Sequence, residues 1–143
     1  MDTGTHFGAR SHYTGGIMTG DRKVRVGVIG AGGAGAGKCR QAKESRYMEL
    51  VAVAEVDDAR RAMVSQQYGV PGYKDYRELL KRDDIDMVYS GTPNWIHAEV
   101  AIAALESGKH VFSEKPMGMN RQEIALMLAA EKKSGRFLQS DFE

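Results

Sequence analysis

The sequence has little of several features that would place it in a special class of protein. Its one cysteine, Cys39, excludes an internal disulfide framework and a cysteine-based metal cluster. It has no apolar run near the roughly 20 residues that a membrane-spanning helix requires, and its first residues lack the hydrophobic core of a secretory signal. The net charge of +1 indicates neither a nucleic-acid nor a membrane partner. We therefore expect a cytoplasmic protein without a metal.

The length suits a single domain behind a short leader. The 143 residues are enough to bury a core without disulfides or metals. Residues 1–22 contain several glycines and two histidines without hydrophobic periodicity, which predicts a disordered leader. Met18 lies just before the first apolar run and is a second candidate for the start of translation. The folded domain is predicted over residues 23–143.

A glycine-rich turn follows the first apolar run. Residues 24–35 read V-R-V-G-V-I-G-A-G-G-A-G, in which Gly30, Gly32 and Gly35 have the spacing G-x-G-x-x-G and Gly33 lies between them. In that spacing the first glycine allows the turn, the second lets a diphosphate approach the backbone, and the third lets the next helix pack closely. A helix that begins here would direct unpaired N–H groups at a phosphate. The pattern predicts a dinucleotide site; the alternative is a glycine-rich turn that binds nothing.

An acidic residue follows the glycines at the distance that such a site requires. After a predicted helix, residues 50–56 form a second apolar strand that contains Glu55, close to the roughly 20-residue offset of a ribose-binding acid. A carboxylate there accepts hydrogen bonds from the adenosine ribose hydroxyls and repels a 2′-phosphate. We therefore expect NAD to be preferred over NADP, although Arg60 and Arg61 lie near enough to reach the same place.

Strands and helices alternate through the rest of the chain. This alternation predicts an α/β protein with a doubly wound parallel sheet (a Rossmann fold), strand order 3-2-1-4-5-6, and a ligand at the carboxyl ends of the strands. The expected elements are a helix from Asp57 or Asp58 to Tyr68, a short strand at Tyr73, a helix over 76–81, a strand over 85–90, a helix capped by Asn94, a strand over 110–113, a helix from Asn120 through Lys133, and a strand over 136–139.

Polar residues gather at those carboxyl ends. Strand 4 is followed by Thr92, Pro93 and Asn94, and strand 5 by Glu114 and Lys115. With the glycine loop and the acid of strand 2, four loops at one sheet edge carry polar or glycine residues. We expect adenosine over strand 2 and nicotinamide over strands 4 and 5.

The stretch G-T-P-N-W-I-H-A-E-V-A-I-A-A-L-E-S-G-K-H-V-F-S-E-K-P-M resembles the Gfo/Idh/MocA family of glucose–fructose oxidoreductases and inositol dehydrogenases. The resemblance runs from about Val24 to the last residues and covers the family's N-terminal domain. It implies a Rossmann domain that binds NAD or NADP in an oxidoreductase of sugars, polyols and related hydroxy compounds. The small-molecule substrate would be such a hydroxy compound.

The resemblance also assigns residues by position. It places the phosphate loop at Gly30, Gly32 and Gly35, the ribose acid at Glu55, the loop beside the cofactor at Thr92, Pro93, Asn94 and His97, and the E-K-P pair at Glu114 and Lys115. Lys115 and His97 are the catalytic candidates. A lysine is protonated in water at neutral pH. Burial and a cationic nicotinamide ring would favour its neutral form, and so allow proton exchange with an alcohol oxygen.

Members of that family continue into a second domain, which supplies most of the substrate pocket and a histidine with the main acid–base role. We therefore expect this chain to be a truncated cofactor domain with little activity of its own, and an apolar surface that favours a homo-oligomer. A non-catalytic NAD-binding or sensing module is the alternative. A methyltransferase shares the glycine loop and the acid, but the E-K-P loop argues against it.

Two further groups are expected to be structural. Trp95 is predicted to pack, and the acidic run that includes Asp83, Asp84 and Asp86 is predicted to be a solvated turn rather than a metal site.

Overall fold

The computed structural model describes residues 22–141, so residues 1–21 of the predicted leader lie outside the described part of the chain. Strands and helices alternate through it as the sequence predicts. In chain order they are β1 (Val24–Ile29), α1 (Ala34–Glu44), β2 (Met48–Ala54), α2 (Asp58–Tyr68), β3 (Gly72–Tyr73), α3 (Tyr76–Leu80), β4 (Met87–Ser90), a 3-10 helix (Asn94–Ile96), α4 (His97–Glu106), β5 (His110–Ser113), α5 (Arg121–Ser134) and β6 (Leu138–Ser140).

The strands form one parallel sheet in the order β3-β2-β1-β4-β5-β6, which confirms the predicted fold and topology. Neighbouring strands that are distant in sequence, β1 and β4, mark the switch point at the centre of the sheet. Helices cover both faces and produce two apolar clusters. Cys39 is fully buried in one of them, where burial raises the pKa of its thiol to about 11, so it packs as a small apolar residue.

Side-chain caps begin most of the helices where the sequence predicts them. The carboxylate of Asp57 accepts a hydrogen bond from the N–H of Arg60 at 2.7 Å, and the amide oxygen of Asn120 accepts one from the N–H of Glu123 at 2.9 Å. Asn94 is an exception, because its side chain makes no capping bond. Instead the carbonyl of Pro93 accepts from the N–H of Ile96, and the chain enters α4 through the 3-10 turn.

The second strand begins and ends two residues earlier than predicted. Its sheet pairing starts at Met48, opposite Val24, and it ends at Ala54. The N–H of Glu55 still donates to the carbonyl of Tyr73, but Val56 is 74% exposed and leaves the sheet. Glu55 therefore lies directly after the strand rather than inside it.

Asp83 in the acidic turn before β4 is exposed, in line with the expected solvated turn, whereas Asp86 and Asp84 form ion pairs that the sequence does not predict. Asp86 accepts hydrogen bonds from the main-chain N–H of Arg25 at 2.9 Å and from its guanidinium at 2.8 and 3.0 Å. These bonds lower the pKa of Asp86 to about 2, although partial burial opposes the shift. Asp84 pairs in the same way with Arg82. Asp86 thus ties the start of β1 to the start of β4.

Among residues 22–141, no helix combines the length and the apolar character that crossing a bilayer would require.

Candidate functional site

A cavity of about 550 Å³ opens at the carboxyl edge of the sheet, beside the switch point between β1 and β4. The glycine loop and the loops after β2, β3 and β4 surround it. Its lining combines residues that the sequence predicts with others that it does not: Ile29, Gly30, Gly32, Gly33, Ala34, Ala54, Glu55, Val56, Arg60, Lys74, Tyr76, Gly91, Thr92, Pro93, Trp95 and Ile96.

Two glycines of the loop have no room for a side chain. A Cβ on Gly35 would lie 1.7 Å from the carbonyl oxygen of Gly30, so only glycine lets α1 pack this closely on the end of β1. Gly30 has a φ of +84°, and a Cβ there would lie 2.7 Å from the carbonyl oxygen of Gly91. The tight turn and the close helix packing that the sequence predicts for these two positions are both present.

The N-terminus of α1 suits an anionic group. Gly33 occupies the capping position, and in the described part of the chain no side chain caps this helix and no acidic residue lies in its first turn. A Cβ on Gly33 would meet no atom within 4 Å, which shows open space in front of the turn. The N–H of Gly35 donates to the carbonyl of Gly32, and the other N–H groups of the first turn and the helix dipole together provide an anion site of the kind that holds a diphosphate.

Glu55 connects the end of β2 to the glycine loop. One carboxylate oxygen accepts a hydrogen bond from the N–H of Ala31, and the other accepts from the N–H of Asp57, both at 3.0 Å. The residue is only 6% exposed and lines the cavity. Each carboxylate oxygen has a second lone pair, so the group retains acceptor capacity for a ligand hydroxyl.

Two cationic side chains line the cavity together with this carboxylate. The Nη1 atom of Arg60 is 3.5 Å from Glu55 Oε2, and it would lie 3.1 Å from a Cβ on Gly32. Lys74 also lines the cavity, and its Nζ pairs with Asp58 at 3.3 Å. The Glu55 side of the cavity therefore has one buried carboxylate, and two partly exposed cationic side chains also line the cavity.

Of the three site residues predicted in the loop after β4, two line the cavity. Thr92 and Pro93 line the cavity, whereas Asn94 is not among the lining residues. The hydroxyl groups of Thr92 and Ser90 are 3.2 Å apart. Trp95 is 77% exposed and lines the cavity, so the expectation that it packs in the interior is wrong.

The loop after β5 lies beside the cavity but does not line it. Glu114 accepts a hydrogen bond from the hydroxyl of Tyr89 at 2.5 Å and one from the N–H of Lys115 at 3.2 Å. Burial and then this carboxylate raise the pKa of Tyr89 well above its usual range, which keeps the phenol protonated. Glu114 is thus fixed by its neighbours, while Lys115 is exposed on the loop.

His97 lies behind these two loops. It is the first residue of α4 and is 1% exposed, and both of its ring nitrogens lie against main-chain carbonyl oxygens. The structure therefore leaves neither ring nitrogen directed at the cavity.

Sequence reasoning missed the contribution of the loop after β3, which brings Lys74 and Tyr76 to the cavity. The predicted strand order could have indicated this contribution. Because β3 pairs in parallel with β2, the carboxyl end of β3 must lie at the same sheet edge as Glu55. Trp95 and Ile96 were missed because their positions at the cavity depend on the 3-10 turn, which has no distinct sequence pattern.

A doubly wound sheet with a glycine loop, an uncapped helix N-terminus and a buried acid at the switch point defines a Rossmann domain of the dinucleotide-binding type. The Gfo/Idh/MocA model, described as an oxidoreductase family with an NAD-binding Rossmann fold, matches residues 24–142. The chain belongs to this family.

Known relatives agree in sequence and in structure. The chain is 31% identical to inositol 2-dehydrogenase of Salmonella typhimurium over 116 residues, which cover 79% of this chain and 34% of the relative. It is 35% identical over 103 residues to D-xylose 1-dehydrogenase (NADP(+)) 2 of Haloferax volcanii, with 71% and 32% covered. The crystal structure of myo-inositol 2-dehydrogenase from Lactobacillus plantarum superposes with a TM-score of 0.79 at 27% identity, covering 84% of this chain and 36% of that one. The chain thus spans about one third of the length of these relatives.

Proposed function

We propose that this chain is the cofactor-binding domain of an NAD-dependent oxidoreductase that acts on sugar- or polyol-type hydroxy compounds. The proposal rests on one observation. The uncapped N-terminus of α1 and the buried carboxylate of Glu55 line the same cavity, and the bond from the Ala31 N–H to Glu55 connects the glycine loop to this acid. A dinucleotide has a diphosphate and a ribose that match these two groups. The substrate class comes from the relatives, which include inositol and xylose dehydrogenases.

Each group at the site has a role in this proposal. When bound, NAD supplies the hydride-accepting nicotinamide ring, and the protein binds and orients it. The N–H groups at the start of α1 hold the diphosphate, and Glu55 accepts hydrogen bonds from the adenosine ribose hydroxyls. Thr92 and Pro93 line the cavity on the side of β4. Lys115, on the loop after β5, is the candidate for proton exchange with the substrate oxygen.

The buried carboxylate supports a preference for NAD over NADP. A hydrogen bond to a charged acceptor contributes about 1.5–3 kcal/mol, whereas a 2′-phosphate would bring close to two negative charges against Glu55. Arg60 and Lys74 act in the opposite direction, because their positive charges attract that phosphate. We propose that Glu55 dominates, since it is buried while the Arg60 and Lys74 side chains are 46% and 67% exposed and better screened by solvent.

The binding step can be tested with the only tryptophan of the sequence, Trp95, which lines the cavity. Titration of the purified chain with NADH should quench Trp95 emission to saturation, whereas S-adenosylmethionine should leave it unchanged. A Trp95→Phe variant, followed by calorimetry, controls for optical artefacts. Absence of saturable NADH binding, or binding of S-adenosylmethionine instead, would contradict the proposal.

We propose further that the chain alone binds dinucleotide with little or no turnover. The roles proposed for the residues that line the cavity all concern the cofactor, and the relatives named as inositol and xylose dehydrogenases are about three times as long. A steady-state assay with NAD and a panel of sugars and polyols should show no rate above background. Robust turnover would show that the chain builds a substrate site of its own.

Self-association is proposed from the exposed apolar side chains of α5 and the residues after it. Leu126, Leu128 and Phe137 are 54%, 48% and 61% exposed, and exposed apolar side chains favour association. Light scattering over a wide concentration range should show a mass that rises with concentration. A constant monomer mass would refute this part of the proposal.

A further inference from the structure

His97 lies between the two loops that border the cofactor cavity on the β4 and β5 side. Its Nε2 atom is 2.6 Å from the carbonyl oxygen of Thr92, which belongs to the loop after β4. Its Nδ1 atom is 2.8 Å from the carbonyl oxygen of Pro116, which belongs to the loop after β5. The side chain is 1% exposed, so water has almost no access to the ring.

These two contacts determine how many protons the ring must hold. A carbonyl oxygen only accepts hydrogen bonds, and a neutral imidazole has one N–H donor and one nitrogen lone pair. In either neutral form, one nitrogen lone pair would therefore face a carbonyl lone pair at less than 3 Å. The imidazolium form donates to both oxygens and makes two charge-assisted bonds.

His110, at the start of β5, shows the opposite arrangement. Its Nδ1 atom accepts a hydrogen bond from the N–H of Phe137 at 3.0 Å, which requires an unprotonated nitrogen. Burial, and then the nearby charge of Arg136, lower the pKa of His110. His110 can therefore serve as an internal reference for a histidine with one unprotonated ring nitrogen.

We propose that His97 is a positioning residue, protonated on both ring nitrogens, that ties the Thr92 loop to the Pro116 loop. The tie fixes the spacing between Thr92, which lines the cavity, and the segment that carries Lys115. This role takes the place of the proton-transfer role expected from the sequence, because both ring nitrogens are already engaged. Its effect on cofactor affinity rests on the proposed function, but the protonation of the ring does not.

The direct test is long-range ¹H–¹⁵N correlation NMR of the imidazole rings in the ¹⁵N-labelled, cofactor-free chain at pH 7. The chain has four histidines, so their signals are assigned with His97→Gln and His110→Gln variants. We expect His97 to show two protonated nitrogens and His110 one protonated and one bare nitrogen. A bare nitrogen in the His97 signal would overturn the proposal.

A second measurement tests the tie itself. In His97→Gln, the main-chain amide signals of Gly91 and Thr92 in one loop and of Lys115 and Met117 in the other should shift, while in His110→Gln they should not. If the amide signals of only one loop shift, His97 does not connect the two loops, even if its ring is doubly protonated. The same substitution should weaken NADH binding by about threefold to tenfold, the equivalent of one lost hydrogen bond. If the unmodified chain does not bind NADH, the proposed function fails while the two NMR readouts still decide this inference.

Discussion

The buried carboxylate of Glu55 accepts a hydrogen bond from the main-chain N–H of Ala31, and this 3.0 Å contact joins the end of β2 to the glycine loop. We propose that this acid both sets the position of the loop and provides the acceptor for the ribose. A substitution at this position is expected to change both the affinity for the cofactor and the choice between cofactors.

The isosteric change Glu55→Gln removes the charge but leaves one acceptor oxygen. We expect it to weaken NAD binding by about fivefold, because a bond to a neutral acceptor is worth about 1 kcal/mol less than one to a carboxylate. NADP binding should improve as the repulsion disappears. Calorimetry with both cofactors measures the ratio, and the exposed Glu106→Gln on α4 is the control. An unchanged ratio in Glu55→Gln would show that this acid does not face the ribose.

Arg60 is expected to moderate the preference in the opposite direction. Its guanidinium lies 3.5 Å from the Glu55 carboxylate and partly neutralises it. In Arg60→Ala, NADP affinity should fall by up to about fivefold, because a partly exposed ion pair contributes about 0.2–1 kcal/mol, with a smaller change for NAD. The exposed Arg136→Ala, beyond the end of α5, controls for net charge. A larger loss for NAD than for NADP would be the opposite of this expectation.

Two glycines of α1 allow a matched pair of stability measurements. Gly35→Ala would place a Cβ 1.7 Å from the carbonyl oxygen of Gly30, so we expect a loss of at least about 3 kcal/mol of unfolding free energy. Gly37→Ala, one half-turn further along the same helix, meets no atom within 4 Å and should stabilise by about 0.5–1 kcal/mol. Urea unfolding followed by circular dichroism compares the two. Equal effects would mean that α1 does not pack on the glycine loop as described.

The tie between Asp86 and Arg25 predicts a specific acid dependence of stability. The pKa of Asp86 is about 2 in the folded chain, below the value near 3.9 of an unfolded aspartate. A lowered carboxyl pKa stabilises the fold above the unfolded value, and that stability is lost as the pH falls from about 4 to 2. Asp86→Asn should therefore be less stable by roughly 1–3 kcal/mol at pH 7 and approach the unmodified chain near pH 2. A difference that does not change with pH would exclude the ion pair as its cause.

The fold could be predicted because each element leaves a local pattern. Alternating apolar runs, caps such as Asp57 and Asn120, and the glycine spacing together determine one sheet order and one ligand edge. The same logic correctly brought Glu55 and Thr92 to one cavity, since both follow strands that neighbour β1.

Features set by tertiary contacts were not predictable in this way. The two partners of His97 are main-chain carbonyls, which any residue type provides, so no sequence pattern marks them. The pairing of Asp86 with Arg25 joins positions that are distant in the chain, and an acidic run by itself favours a solvated turn. The direction of Arg60 over Gly32 depends on how α2 packs, which local propensity does not determine.

The most direct test of the central claim is calorimetric titration of the unmodified 143-residue chain with NADH and with NADPH under identical conditions. The account predicts saturable one-to-one binding of both, with NADH tighter by at least about tenfold, or about 1.4 kcal/mol. Equal or tighter binding of NADPH, or no binding of either, would contradict the role given to the Glu55 carboxylate.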